Sequence, residues 1–80
     1  MEGTPLCIVP NTYLETMRQK IQEQVAVYTG TVVMCDAEIV TRPGGSHSWL
    51  DIVTDNRSLL VHLGMFIGSH LTDNAEEIFQ

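Results

Sequence analysis

The fold is decided by residues 31–54, TVVMCDAEIVTRPGGSHSWLDIVT. Two runs in this stretch alternate apolar and polar side chains, and a segment rich in glycine and proline separates them. Alternation with a period of two is typical of half-buried β-strands. The stretch therefore predicts an antiparallel hairpin with one face in the core. The residues predicted to face the core are Val33, Cys35, Ala37, Ile39, Leu50 and Ile52.

The outer face of this predicted hairpin has the composition of a protein interface. It consists of Met34, Asp36, Glu38, Trp49, Asp51 and Val53. A tryptophan with apolar neighbours and a charged rim is typical of a binding hot spot. We predict a partner-binding surface in which Trp49 is the anchor and the three acidic residues select a basic partner. The alternative is that the C-terminal tail or a neighbouring protomer covers this face.

Before the hairpin, a strand and a helix are predicted. The apolar run at residues 5–9, PLCIV, ends at Pro10, which favours a strand near the edge of a sheet. Thr12 and Glu15 have the spacing of a capping box, so a helix is predicted at about residues 12–27. The apolar stripe of that helix is Leu14, Met17, Ile21, Val25 and Tyr28.

The end of this first helix has two interpretations. Gly30 is a typical C-terminal stop. Residues 25–28, VAVY, are equally compatible with the start of a strand.

After the hairpin, Asp55 and Asn56 are turn and cap residues, and residues 57–71 predict a second helix. Its apolar side chains cover almost the whole circumference, which is more than one sheet face can bury. We therefore predict homodimerisation through this helix, and the alternative is that its own domain buries it. The residues predicted at the dimer interface are Leu60, Leu63, Gly64, Ile67 and Gly68.

A last short helix is predicted at residues 74–79, where Asp73 and Glu76 have the spacing of a second capping box. Its apolar end, Ile78 and Phe79, either docks on the domain or forms a free terminus.

The chain has 80 residues and a mass of 8.9 kDa, which predicts a single domain over residues 1–80. The order of elements is β-α-β-β-α with a short final helix. This order predicts a small α+β fold with a three-stranded sheet, in which the hairpin spans about residues 31–54 and the helices pack on one face.

Composition restricts the class of partner. The formal charge of −6 disfavours direct binding of nucleic acid and favours a basic partner, although such a charge is also common in proteins that are simply well solvated. The weakly charged residues 58–71 are too short to span a membrane. Cys7 and Cys35, without a CxxC pair or a leader sequence, favour a cytoplasmic protein with free thiols, and one disulfide is the alternative.

No pattern indicates catalysis, a metal site or a cofactor. His62 and His70 are too far apart on one helix to share an ion, and His47 lies in a predicted loop. Ser46 and Asp51 add residue types found in hydrolases, but adjacent loop residues do not predict a triad.

The segment between the two hairpin strands is the second candidate site. Its glycines, hydroxyls and one permanent cation are suited to a phosphate group or nucleotide. The predicted ligand-binding residues are Arg42, Gly44, Gly45, Ser46, His47 and Ser48. The favoured function is nevertheless that of a small, acidic, non-enzymatic module that binds and regulates or inhibits a macromolecule.

Overall fold

The computed structural model describes residues 3–30 and 37–80 and has the predicted α+β architecture. The elements, in chain order, are strand β1 (Thr4–Pro10), a 3-10 turn (Asn11–Tyr13), helix α1 (Leu14–Thr29), strands β2 (Glu38–Arg42) and β3 (His47–Val53), and helices α2 (Arg57–Asp73) and α3 (Ala75–Ile78). The predicted order of strands and helices is confirmed. Residues 31–36 lie outside the described residues. The roles predicted for Val33, Met34, Cys35 and Asp36 therefore lie outside them as well.

The three strands form one antiparallel sheet in the order β1-β3-β2. β3 is central, so its residues have neighbours on both sides: Leu50 lies between Cys7 and Thr41, and Trp49 lies between Ile8 and Arg42. β1 is at the edge, as its two prolines predict. The register of β1 shifts between Pro5 and Cys7, which marks a β-bulge.

The core lies between the inner face of the sheet and helices α1 and α2. Each helix contributes residues spaced four apart, which a helix places on one face. From α1 these are Met17, Ile21 and Val25, and from α2 they are Leu59, Leu63 and Ile67. They pack against the sheet residues Val9, Leu50 and Ile52, with Ala37 beside them. The predicted inward positions of Ala37, Leu50 and Ile52 are therefore confirmed, and Ile39 packs partly against the same core.

Both predicted capping boxes are wrong. The first turn after β1 is a 3-10 turn, α1 begins only at Leu14, and no side chain caps it. The physical reason is that Asn11 bonds to the loop between β2 and β3, which sets the path of the chain there. At the other end of the molecule Asn74 precedes α3 and also makes no side-chain cap.

The end of α1 and the start of α2 lie at the stop and cap residues that the sequence predicts. α1 continues to Thr29, so the alternative of a strand at residues 25–28 is wrong, and Gly30 ends the helix with a φ of 73°. That left-handed conformation costs glycine little. Asn56 caps α2, because its Oδ1 accepts a hydrogen bond from the Leu59 amide at 3.1 Å. Ile78 is buried, so the C-terminal helix docks on the domain.

The loop between β2 and β3 is shorter than the segment of residues 41–47 that its composition predicts. Thr41 and Arg42 belong to β2 and His47 belongs to β3, so the loop contains residues 43–46 alone. Within the described ranges, no helix has the length and apolar character needed to cross a membrane.

Candidate protein-binding face

The outer face of the sheet, on the side away from α1 and α2, carries two large exposed apolar side chains. Trp49 is 40% exposed and Ile8 is 39% exposed, and these two residues are cross-strand partners in β3 and β1. Val40 and Val53, both half-buried, extend the apolar surface along the sheet, and Glu38 at its edge is exposed. We call Ile8, Val40, Trp49 and Val53 the outer face patch. The predicted outward position of Trp49 is therefore found in the structure.

Arg42 is held over this patch by two contacts. Its Nε and Nη2 donate hydrogen bonds to Asp51 Oδ2 and Oδ1 at 2.6 and 3.0 Å, a bidentate ion pair. Its guanidinium carbon lies 5.1 Å from the centre of the Trp49 ring, within the range of a cation–π interaction. The hydrogen bonds that Arg42 donates to the Asp51 carboxylate raise the pKa of Arg42. The patch thus has a fixed cation on one side of its aromatic anchor.

This pairing corrects the predicted role of Asp51. The residue lies in the outer row of β3 with Trp49 and Val53, but it is only 8% exposed and its carboxylate is already neutralised by Arg42. Sequence alternation gives the face of a strand position but does not show which cation lies beside it. Among the three acidic residues predicted to select a partner, Glu38 is the one that the structure describes as exposed.

The dimer interface predicted on α2 is partly wrong. Leu63 and Ile67 lie in the core of their own chain, and Leu60 packs partly against it, so Leu63 and Ile67 cannot contact a second copy. Gly64 and Gly68 are exposed, and a Cβ added at either position would meet no atom of the described chain within 4 Å.

The exposed side of α2 is nevertheless apolar. Val61 is 64% exposed and Met65 is 73% exposed. The sequence predicts that a single domain cannot bury the whole apolar surface of this helix, and these two side chains are the part of that surface that stays exposed. They form an uncharged ridge beside Gly64 and Gly68.

The polar groups of the loop have partners within the chain. The Asn11 amide donates to Ser46 O at 3.0 Å, Asn11 Nδ2 donates to Gly45 O at 2.9 Å, and Ser48 Oγ donates to Asn11 Oδ1. Ser48 is buried and Arg42 is paired with Asp51. Four of the six predicted ligand-binding residues, Arg42, Gly45, Ser46 and Ser48, are thus already bonded within the fold through a side chain or a carbonyl oxygen.

Gly44 has a steric role in the same loop. A Cβ added to it would overlap the carbonyl oxygen of His47, whereas one added to Gly45 would meet nothing within 4 Å. The loop therefore requires glycine at position 44 for space, a reason that does not involve a ligand.

The histidines make contacts that join elements. The His62 ring lies 3.1 Å from Gln24 Oε1 and stacks on Tyr28, which connects α2 to α1. The His70 ring lies 2.7 Å from the Tyr13 hydroxyl and connects α2 to the 3-10 turn. Burial of Tyr13 raises its pKa, and the negative charge of Glu77 adds to the effect.

The side chains of Ser46 and His47 are in contact with each other. His47 Nδ1 lies 2.9 Å from Ser46 Oγ, so these adjacent side chains do meet. Both are exposed, and the carboxylate of Asp51 is committed to Arg42, so no carboxylate among the described residues bonds to this pair. Across residues 3–30 and 37–80, no group of three histidine, cysteine or acidic residues is placed to hold a metal ion.

Cys7 is a free, half-buried thiol, and burial raises its pKa from the usual 9.0 to about 11. In a Cys35→Ser variant, we expect alkylation of Cys7 by iodoacetamide at pH 8 to be about 100-fold slower in the native state than in urea, because a shift of about two units lowers the thiolate population by that factor. Because the unfolded thiol ionises first, the fold should also lose stability as the pH rises from 9.0 towards 11. Equal alkylation rates in the two states would contradict this expectation.

Sequence reasoning missed two residues that the structure makes important. Ile8 belongs to a continuous apolar run with a bulge, so no alternation shows that it faces outward. Asn11 follows a proline at the end of a strand, which is a turn signal, but its partners lie more than 30 positions away. Comparison of the chain with protein-family models, with curated proteins and with solved structures found no match.

Proposed function

We propose that this protein is a small, acidic, non-enzymatic interaction module that binds and regulates or inhibits a protein partner through its outer face patch. The observation that carries the proposal is the exposed Trp49, paired with exposed Ile8 and flanked by Arg42 in a fixed position. Tryptophan and arginine are the residue types most enriched among those that dominate binding energy.

The arrangement supports binding for three physical reasons. The patch is apolar at its centre and charged at its rim, which is the usual anatomy of an interface. Arg42 is ordered before binding by Asp51, so little side-chain entropy is lost when a partner arrives. The formal charge of −6 attracts a partner with a basic surface at long range.

The test begins with affinity capture, in which the tagged chain is used to isolate its partner. The affinity of the captured partner is then measured for two matched variants of the chain. Trp49→Ala should weaken binding at least about 30-fold, since loss of a hot-spot residue costs about 2 kcal/mol or more. Val27→Ala is the control, because Val27 is also exposed but lies on α1, away from the patch. A partner that binds both variants equally would reject the outer face patch as its binding surface.

We further propose that two copies associate through the ridge formed by Val61 and Met65. The purified chain should have twice its 8.9 kDa mass in light scattering at high concentration. Replacing both ridge residues with lysine should shift it to the single-chain mass, because burial of a charged side chain at an interface is unfavourable. A concentration-independent mass of 8.9 kDa for the unaltered chain would contradict self-association.

A further inference from the structure

β1 has a free edge beside an apolar groove. Among the described strands it pairs with β3 alone, so the alternate backbone amides and carbonyls on its other side have no strand partner. The open groove next to it has a volume of about 650 Å³. It is lined by Leu6, Cys7 and Ile8 of β1 and by Gly64, Gly68 and Leu71 of α2.

The two glycines leave space on the helix wall of this groove. A Cβ at either position would meet no atom within 4 Å, so the space in front of α2 is not filled by the rest of the described chain. Glycine lowers the stability of a helix relative to alanine, and no contact within the described chain needs glycine at these positions. A segment lying along the edge of β1 would pass close to this wall and use the space.

One end of the groove is acidic. Thr72 and Ala75 line the groove and also line an adjoining pocket whose other walls include Asp73, Glu76 and Glu77. In the part of the chain that the structure describes, no ion pair involves these three carboxylates. The charge at this end therefore complements a lysine or arginine side chain.

We propose that the groove binds a short, extended, basic peptide segment that adds as a fourth strand to the free edge of β1. Its backbone pairs with β1, one apolar side chain lies over Gly64 and Gly68, and a basic side chain two positions along the same face of the segment contacts Asp73, Glu76 and Glu77. Strand addition of this kind takes its affinity from the backbone and its specificity from pockets for alternate side chains. Pro5 and Pro10 lack amide hydrogens, so the pairing is limited to the residues between them.

The charge favours a basic peptide over a second copy of this chain. Each copy has a formal charge of −6, so a second copy at the groove would bring further negative charge towards the acidic end. The proposal extends the interaction role to a second surface, which shares Ile8 with the outer face patch but does not depend on Trp49.

The probe, called the lysine–valine peptide, is an acetylated heptapeptide in which threonine alternates with lysine, valine and lysine in turn, so that the lysine and valine side chains share one face. It is titrated into the isotope-labelled full chain and followed by NMR. We expect saturable shifts of the Leu6, Gly64 and Gly68 amides, with affinity at least tenfold weaker for the same peptide with glutamate in place of lysine. A peptide with a central proline should lose binding, because proline cannot donate a backbone hydrogen bond to β1. Equal binding of the proline peptide would mean attraction by charge alone and would overturn the proposal.

A pair of variants tests the place of binding. Gly68→Leu places a side chain in the groove at a position where its Cβ meets no described atom within 4 Å, and it should weaken binding of the lysine–valine peptide at least tenfold. Ser69→Leu, at an exposed neighbouring position, should not weaken it. Trp49→Ala should bind this peptide with unchanged affinity, which separates the groove from the outer face patch. Unchanged binding by Gly68→Leu would overturn the proposal. Shifts of the Leu6 and Ile8 amides on dilution of the Val61→Lys, Met65→Lys double variant without peptide would also overturn it, because a second copy would then occupy the groove although the ridge no longer associates.

Discussion

Replacing Leu63 with alanine is expected to lower the free energy of unfolding by about 3 kcal/mol, within the range measured for large-to-small changes in cores. Leu63 has no exposed surface and packs between α1 and the sheet, so its loss leaves a cavity that close-packed neighbours cannot fill. Small domains have only about 5 to 15 kcal/mol of total stability, so a large part of it would be lost. The measurement is urea unfolding followed by the fluorescence of Trp49, the only tryptophan.

Met65, two residues further along α2, is the matched control. It is 73% exposed, and Met65→Ala should change the stability of the single chain by less than about 0.5 kcal/mol. The comparison separates a core position from a position on the exposed ridge. Similar losses for the two variants, measured at a concentration where the chain is a single copy, would mean that α2 is not oriented as described.

The Gly44→Ala variant should lose about 2 kcal/mol of stability, within the range for overpacked positions. The added methyl would overlap the carbonyl oxygen of His47, so the loop must open. Opening the loop would also move Gly45 and Ser46, whose carbonyl oxygens bond to Asn11. The same urea unfolding experiment measures the loss.

Gly45→Ala, one position further, is expected to be neutral or to stabilise the protein by about 0.5 kcal/mol. No atom of the described chain lies within 4 Å of the added methyl, φ at Gly45 is not positive, and alanine restricts the unfolded chain more than glycine does. If both variants behaved alike, the steric explanation for Gly44 would be wrong.

Regular patterns predicted most of the architecture. The alternation around Leu50 and Ile52 marks a strand because successive side chains in a strand point to opposite faces. The spacing of Met17, Ile21 and Val25 marks a helix because residues four apart share one helical face. The local rules failed at the start of α1, where bonds from Asn11 to a distant loop set the first turn.

The candidate site was less predictable than the fold. The outward position of Trp49 follows from alternation, but its pairing with Ile8 depends on the register of a bulged strand. The seam predicted on α2 failed at Leu63 because an apolar helix without a polar side does not show by its sequence which side meets the sheet. The groove beside β1 combines residues from both ends of the chain, so no sequence window contains it.

Hydrophobic periodicity, turn residues and net charge, which are local or summed properties, determined the class of fold, the order of its elements and the acidic character of this protein. Tertiary packing alone decided that Asp51 is paired with Arg42, that Leu63 is buried while Met65 is exposed, and that a groove opens beside β1. The physical reason is that periodicity depends on neighbours along the chain, whereas burial and ion pairing depend on which surfaces are brought together when the helices pack on the sheet.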